Sequence, residues 1–426
     1  MASLGFSQVN DLFVIKSFRR FWVANVFSNL GTSAFVMALS WLTVKQYGAF
    51  GIASLALGYG IPQFFLQLIG GSVADRLARR RLYAVTEVSL LTMAGILLMA
   101  SVLGPVPLWL LVGVNAVNGA ISSFDTPART ALITEMVPQD QLVNAMQAYS
   151  ISSSITNIFG PALGGILLSL GKDGQSHEEF AFLFNVFSFI PLLACIPSLP
   201  LTRFANKRKS SAVGILQSAL EGIKFVRKEQ NVRVLLLLLA LVMLLGMPFQ
   251  ALLPVFVSTH LKPVLGHVFY ASLLSAVSLG GLFSSLIGLK QGKMLRPGLL
   301  LVTASLLLGF SLLMMVSTGL LHWASLAAFF AGAGGTLVIN FDNALIEKCT
   351  PMELQGRVAS IASLTKGLQA FSVAAAGYLM HSLSHAPSTN TSGYLEVQVS
   401  LAVILLLSVC LIAPSLLRIR QTQVTA

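Results

Sequence analysis

The chain has 426 residues, of which 55% are hydrophobic and 10% are charged, and its formal net charge is +12. In soluble domains about a quarter of all residues are charged, so this composition excludes a water-soluble globular fold. The basic excess would suit a nucleic-acid-binding protein, but the basic residues gather in short connections between apolar stretches. We therefore expect no nucleic-acid partner.

Twelve apolar stretches, nearly free of charge, run from Phe21 to Leu417. A helix needs ~20 apolar residues to cross ~30 Å of hydrocarbon, so each stretch predicts one membrane-spanning helix. The expected fold class is an all-α integral membrane protein with twelve transmembrane helices. The predicted spans 1 to 12 are 21–44, 52–74, 82–103, 106–128, 143–170, 180–199, 234–257, 267–289, 298–319, 321–345, 358–381 and 398–417.

The predicted loops divide the basic residues unequally between the two sides of the membrane. Of the 27 Lys and Arg, 23 lie on the side of both termini, Lys45, Lys172 and Lys262 lie on the other, and Lys366 falls within a span. The positive-inside rule then predicts cytoplasmic termini in the plasma (inner) membrane. Residues 1–20 lack a small-residue cleavage site after a compact apolar stretch, and we expect a retained cytoplasmic segment.

A long basic connection predicts two halves. Residues 201–230 form a cytoplasmic linker between an N-terminal six-helix bundle, 1–200, and a C-terminal six-helix bundle, 231–426. Part of the linker has the spacing of an amphipathic surface helix, and a solvated linker is the alternative. At an offset of 213 residues, Ala131–Ile133 falls on Ala344–Ile346. Repeated six-span halves are a transporter architecture with the substrate site between them.

Four motifs carry a family resemblance. Residues 71–80 read GSVADRLARR, close to the pattern G-x-x-x-D-R-x-G-R-R, and residues 160–165 of span 5 read GPALGG. Residues 124–129 read FDTPAR, and residues 351–358 read PMELQGRV. On these motifs the chain resembles the major facilitator superfamily, and within it the subgroup that contains the enterobactin exporters and macrolide efflux proteins. The resemblance implies that the two six-helix bundles are pseudo-symmetric.

The resemblance also implies a conformational latch on the cytoplasmic side. It implies that Asp75 faces the start of span 11 and that Arg79 pairs with an acid on span 4, for which we predict Asp125. At the start of span 11, Thr350 as cap and Glu353 three residues later predict a capping box, with Pro351 between them at the first helical position. The positive end of this helix dipole can receive an anion. Anchoring of the topology is the alternative role for these loop charges.

Four ionisable residues fall within the predicted spans: Glu87, Asp125, Asp342 and Lys366. Burying a charge in hydrocarbon costs at least ~2.5 to 3.5 kcal/mol, so each is a functional candidate. Glu87, Asp342 and Lys366 are the candidate proton-coupling residues, and a static ion pair is the alternative for each. Many drug/proton antiporters of the superfamily carry an arginine inside span 4. The predicted span 4 holds no cation, which argues against proton coupling by that route.

Uncharged amides within the spans outline a predicted substrate cavity that is weakly polar and flanked by phenylalanines. Hydrogen bonding between helices is the alternative role of each amide. The candidates are Asn25, Asn29, Gln63, Gln67, Asn115, Asn118, Gln250, Asn340, Asn343 and Gln369. In span 5, Gly160, Gly164 and Gly165 predict close helix packing, and Pro161 predicts a kink at a gate.

The expected function is secondary active transport, as an exporter of an amphipathic small molecule such as a siderophore, a macrolide or another secondary metabolite or drug. Alternating access would drive export, with protons as the candidate coupling ion. We expect a monomer among membrane lipids, without enzyme activity, cofactor or metal. Two alternatives stay open: a transporter of lysolipids or other lipid-like substrates, and a non-transporting sensor or assembly subunit with the same fold.

Overall fold

The computed structural model describes residues 12–74, 79–171, 176–199, 223–261, 265–290, 297–317, 321–352, 354–384 and 393–419. The first helix, Lys16–Ala74, changes direction at Gly48, where φ is 60°. Glycine adopts this left-handed conformation without steric cost, and here it separates α1 (16–47) from α2 (49–74). The predicted spans 1 and 2 are thus two helices that meet at Gly48.

Ten further helical segments follow within the described residues. They are α3 Arg79–Leu103, α4 Leu108–Met136, α5 Leu142–Leu168, α6 Glu178–Cys195, α7 from Gln230–Leu241 through Pro248–Phe256, α8 Gly266–Lys290, α9 Pro297–Ser317, α10 Leu321–Lys348, α11 Gln355–Ser384 and α12 Gly393–Leu417. Short 3₁₀ turns, Gln139–Gln141 and Ile196–Ser198, precede α5 and follow α6. Most of the predicted linker, 201–230, lies outside the described residues, and its part 223–228 is helical.

Nine helices of the described ranges are long and apolar enough to cross a membrane, by length and composition alone. The first of them, Lys16–Gln67, contains both α1 and most of α2. Two helices, α4 and α11, are not among these nine. The prediction of an all-α integral membrane fold is confirmed.

The chain forms two compact units. The first comprises residues 1–46 and 61–209, and the second comprises 47–60 and 210–426. Residues 47–60 lie inside the predicted N-terminal bundle but group with the second unit. There Gly60 lies against Ala370, and Gly377 lies against Ala49 and Ala53. These small residues let the first part of α2 approach α11 closely.

Glycines also set helix spacing inside each unit. In the first unit, Gly160 lies against Ser33, and a Cβ atom at Gly164 would lie 3.2 Å from the carbonyl oxygen of Ala34. This spacing brings α5 against α1. In the second unit, Gly332 lies against Val277 of α8, and Gly334 lies against Ala304 of α9. Helix α10 therefore packs between α8 and α9.

A π-helical turn, Val242–Gly246, interrupts α7 just before Pro248. Proline has no N–H, so the carbonyl of Leu244 loses its usual helical donor four residues later. The Ser372 hydroxyl of α11 donates to that carbonyl, and the Gln369 side-chain amide donates to the Met247 carbonyl at 3.3 Å. Gln369, predicted to line the cavity, thus holds the backbone of α7.

We expect Ser372→Ala to destabilise the protein. The change leaves a partly buried carbonyl without a donor, which costs about 1 to 3 kcal/mol. The measurement is the thermal unfolding midpoint of the purified protein in detergent. Ser400→Ala is the matched control, because the exposed Ser400 hydroxyl donates only to Glu396 of its own helix. Equal shifts for both variants would contradict this role of Ser372.

Candidate functional site

A buried arginine on α4 is the centre of the candidate site. Pro127 lies inside α4, and the helix continues to Met136. Arg129 is therefore a helical residue, and its side chain is only 12% exposed. The helix continues past residue 128, the predicted end of span 4, and the prediction that this helix holds no cation is wrong. A proline does not always end a helix when neighbouring helices pack against it. Across the motif FDTPAR the helix is continuous, so Asp125 and Arg129 lie on one face of it.

Arg129 holds two acids of the first unit. It forms an ion pair with Asp125, one helical turn earlier on the same face, and its guanidinium nitrogen lies 3.6 Å from a carboxylate oxygen of Glu87 on α3. The Thr86 hydroxyl donates to Asp125 at 3.2 Å. Arg129 also donates to the side-chain oxygen of Asn29 on α1 at 3.2 Å. Three polar side chains from three helices thus contact one guanidinium group.

Two tyrosines complete the surroundings of Arg129. Its guanidinium carbon lies 5.7 Å from the ring centroid of Tyr83, within the range of a cation–π interaction. A guanidinium N–H of Arg129 also donates to the Tyr149 hydroxyl of α5 at 3.5 Å. Tyr83 is fully buried and shares one face of α3 with Glu87. The arrangement encloses the charges and keeps bulk water away from them.

The charges in this cluster do not balance when both acids are ionised, because two carboxylates then face one guanidinium group. The Glu87 side chain is only 2% exposed, and one of its oxygens has no hydrogen-bond partner among the described residues. Asp125, by contrast, is held by both Arg129 and Thr86. Buried charges are stable only when paired, so one additional proton would neutralise the cluster. Of the two acids, Glu87 is the one that Arg129 contacts less closely.

The latch residues differ from prediction in their partners. Arg79 lies 2.6 Å from Glu135, which is also on α4, so the predicted pairing with Asp125 is wrong. The reason is position: Asp125 is engaged by Arg129, whereas Glu135 lies near the end of α4 beside the start of α3. Asp75 and Glu353 lie outside the described residues.

The predicted capping box at span 11 is also corrected. The Thr350 hydroxyl donates to the Ile346 carbonyl at 2.6 Å and thereby closes the preceding helix, α10. Helix α11 begins at Gln355, whose side-chain amide donates to the Glu347 carbonyl at 3.2 Å. The carbonyl groups at the end of α10 are therefore satisfied by the connection, and the turn from Pro351 precedes the helix. A cavity of about 390 Å³ lies at this junction.

Asp342 of α10 is fully buried, and neither of its carboxylate oxygens has a hydrogen-bond partner among the described residues. Its neighbour Asn343 donates to the Ile339 carbonyl of its own helix at 2.7 Å, and Asn340 donates to Ser285 at 3.4 Å. Lys366 lies on α11, with its side chain outside the described part of the chain. Asp342 thus differs from Glu87, which faces a cation.

The remaining predicted cavity residues are distributed over both units. Asn25 is 1% exposed, and its amide atoms have no hydrogen-bond partner among the described residues. The backbone carbonyl of Gln63 accepts from Ser123 at 3.4 Å. Of the predicted amides, Asn29 joins the Arg129 cluster. The side chains of Gln67, Asn115, Asn118 and Gln250 are half-buried. The residue that sequence analysis missed is Arg129, and its spacing of four from Asp125 was the available signal.

Comparison with solved structures defines the class of this fold. The nucleoside transporter NupG superposes with a TM-score of 0.67 at 14% sequence identity, covering 95% of this chain and 100% of that chain. An auto-inhibited POT family peptide transporter gives a TM-score of 0.71 at 13% identity, covering 95% of this chain and 98% of that chain. The chain therefore has the fold of these two transporters.

A family model described as transmembrane secretion effector matches residues 11–421, and the chain belongs to this family. Macrolide efflux protein A of Streptococcus pyogenes is 23% identical over 354 residues, covering 81% of this chain and 84% of that protein. The staphyloferrin A transporter of Staphylococcus aureus is 23% identical over 283 residues, covering 66% of this chain and 68% of that protein. The predicted superfamily and its efflux subgroup are confirmed, and the protein is a multi-pass membrane transporter.

Proposed function

We propose that this transporter exports an amphipathic small molecule in exchange for protons. The observation that carries the proposal is the buried cluster in which Arg129 faces both Asp125 and Glu87. When Glu87 binds a proton it loses its charge, and Arg129 then forms an ion pair with Asp125 alone. When Glu87 releases the proton, both carboxylates again attract the same guanidinium group. The names of the relatives, macrolide efflux protein A and staphyloferrin A transporter, support an amphipathic organic substrate.

In the proposed cycle, residues 1–200 rock against residues 231–426, and both termini lie in the cytoplasm. The predicted cavity amides contact the substrate, and Asp75 with the start of α11 latches the cytoplasmic side. Glu87 is the proposed proton carrier, and Asp342 and Lys366 are the other candidates. The protein acts as a monomer in the plasma membrane and is not an enzyme.

The test is uptake into everted membrane vesicles, in which an exporter accumulates its substrate inside. A radiolabelled macrolide and a labelled siderophore are offered with the vesicle interior acidified. We expect accumulation that rises as the interior pH falls and that collapses with a protonophore. Accumulation of lysolipid in place of both compounds would favour the lipid-like alternative. Absence of flux for every compound from the purified, reconstituted protein would favour the sensor or assembly subunit.

A further inference from the structure

A groove of about 700 Å³ lies in the first unit, between the start of α1 and the end of α6. Arg19 and Arg20 line it at one end, and Val23, Phe27, Pro191 and Ala194 line the rest. The Arg80 side chain of α3 donates to the Leu199 carbonyl at 3.2 Å, so a third basic residue lies near the end of α6.

The groove combines exposed apolar side chains with two exposed arginines. Val23 is 56% exposed and Phe27 is 38% exposed, as expected for side chains that face lipid. Arg19 and Arg20 are exposed and form no ion pair with any residue that the structure describes. From residue 19 to residue 27 the helix rises ~12 Å, less than half of the hydrocarbon thickness. The groove therefore extends from the headgroup level into one leaflet.

We propose that this groove binds an anionic phospholipid. The headgroup phosphate lies at Arg19 and Arg20, because arginine donates to phosphate through several N–H groups, and the upper part of an acyl chain lies along Val23 and Phe27. The two arginines favour a negatively charged headgroup. The apolar side chains along the rest of the groove favour a lipid over a free anion, because an acyl chain can pack against them. The cytoplasmic orientation proposed above places the site in the inner leaflet, whereas the binding chemistry does not depend on that orientation.

The test is lipid binding to the purified full-length protein in detergent, followed by native mass spectrometry during titration with phosphatidylglycerol or phosphatidylcholine. A basic residue near an anionic surface contributes ~1 kcal/mol to the binding free energy. Loss of both arginines then costs ~2 kcal/mol, which is a ~30-fold rise in the Kd for the lipid. We expect this rise for the double variant Arg19→Ala/Arg20→Ala. Arg19→Lys/Arg20→Lys, which keeps the charge, is expected to retain most of the affinity.

The matched control is Arg227→Ala/Lys228→Ala, which removes two exposed basic residues that do not line the groove. Its affinity for phosphatidylglycerol is expected to equal that of the unchanged protein. A phosphatidylglycerol with a photoreactive group near the glycerol is expected to label residues 19–27 or 191–198. Equal binding of phosphatidylcholine, an unchanged Kd for Arg19→Ala/Arg20→Ala, or labelling confined to other segments would overturn the proposal. Displacement of the lipid by an equal concentration of inorganic phosphate would also overturn it. Substrate flux is not measured, so failure here leaves the proposed export function standing.

Discussion

Arg129→Met is expected to abolish transport and to destabilise the protein by about 3 to 5 kcal/mol, because removal of one partner from a buried ion pair leaves an uncompensated charge. Here two acids, Asp125 and Glu87, lose the same cation. The measurements are the thermal unfolding midpoint in detergent and substrate accumulation in everted vesicles. Arg418→Met is the matched control, because Arg418 is exposed near the end of the chain.

A triple variant separates the folding role of Arg129 from its transport role. Arg129→Met combined with Asp125→Asn and Glu87→Gln removes all three charges together. Buried ion pairs replaced as a whole by neutral residues are often no less stable, so the unfolding midpoint should recover. Transport should not recover, since no proton-binding acid remains in the cluster. A stable Arg129→Met single variant with normal flux would show that the cluster is not needed for either role.

Glu87→Gln is expected to abolish accumulation driven by a pH gradient while leaving substrate exchange intact. Glutamine keeps the size of the side chain and the ion pair between Arg129 and Asp125, so we expect the unfolding midpoint to be retained. The unchanged protein should accumulate more substrate as the interior of everted vesicles becomes more acidic. In the variant this dependence on interior pH should disappear, because the exchangeable proton is gone.

Asp342→Asn is the control for this loss. Asp342 is fully buried like Glu87 but has no hydrogen-bond partner among the described residues, so its neutralisation breaks no ion pair in that part of the chain. Counterflow of labelled against unlabelled substrate, without a pH gradient, measures exchange in both variants. Retained pH-driven accumulation by Glu87→Gln would remove Glu87 as the carrier. If only Asp342→Asn lost pH-driven accumulation, Asp342 of α10 would be the proton carrier instead of Glu87.

Much of the candidate site was visible in the sequence as single residues. Glu87, Asp125 and Asn29 were selected because each is polar within an apolar span, where such a residue is costly. Their common partner is hidden in the sequence, because Arg129 follows Pro127 and the predicted span 4 ends at residue 128. The partner of Arg79 was assigned to the wrong acid for a related reason: once α4 extends to Met136, Glu135 becomes available beside α3.

The sequence by itself determined that the chain is a helical membrane protein, because the length and hydropathy of each apolar run are local properties that decide whether a helix crosses the bilayer. It also indicated the superfamily through short motifs. Only the tertiary structure decided which polar groups meet: Arg129 with Glu87, and Ser372 with the carbonyl that Pro248 leaves free. Such pairings depend on how neighbouring helices are rotated and how closely they approach, and residues distant along the chain set both.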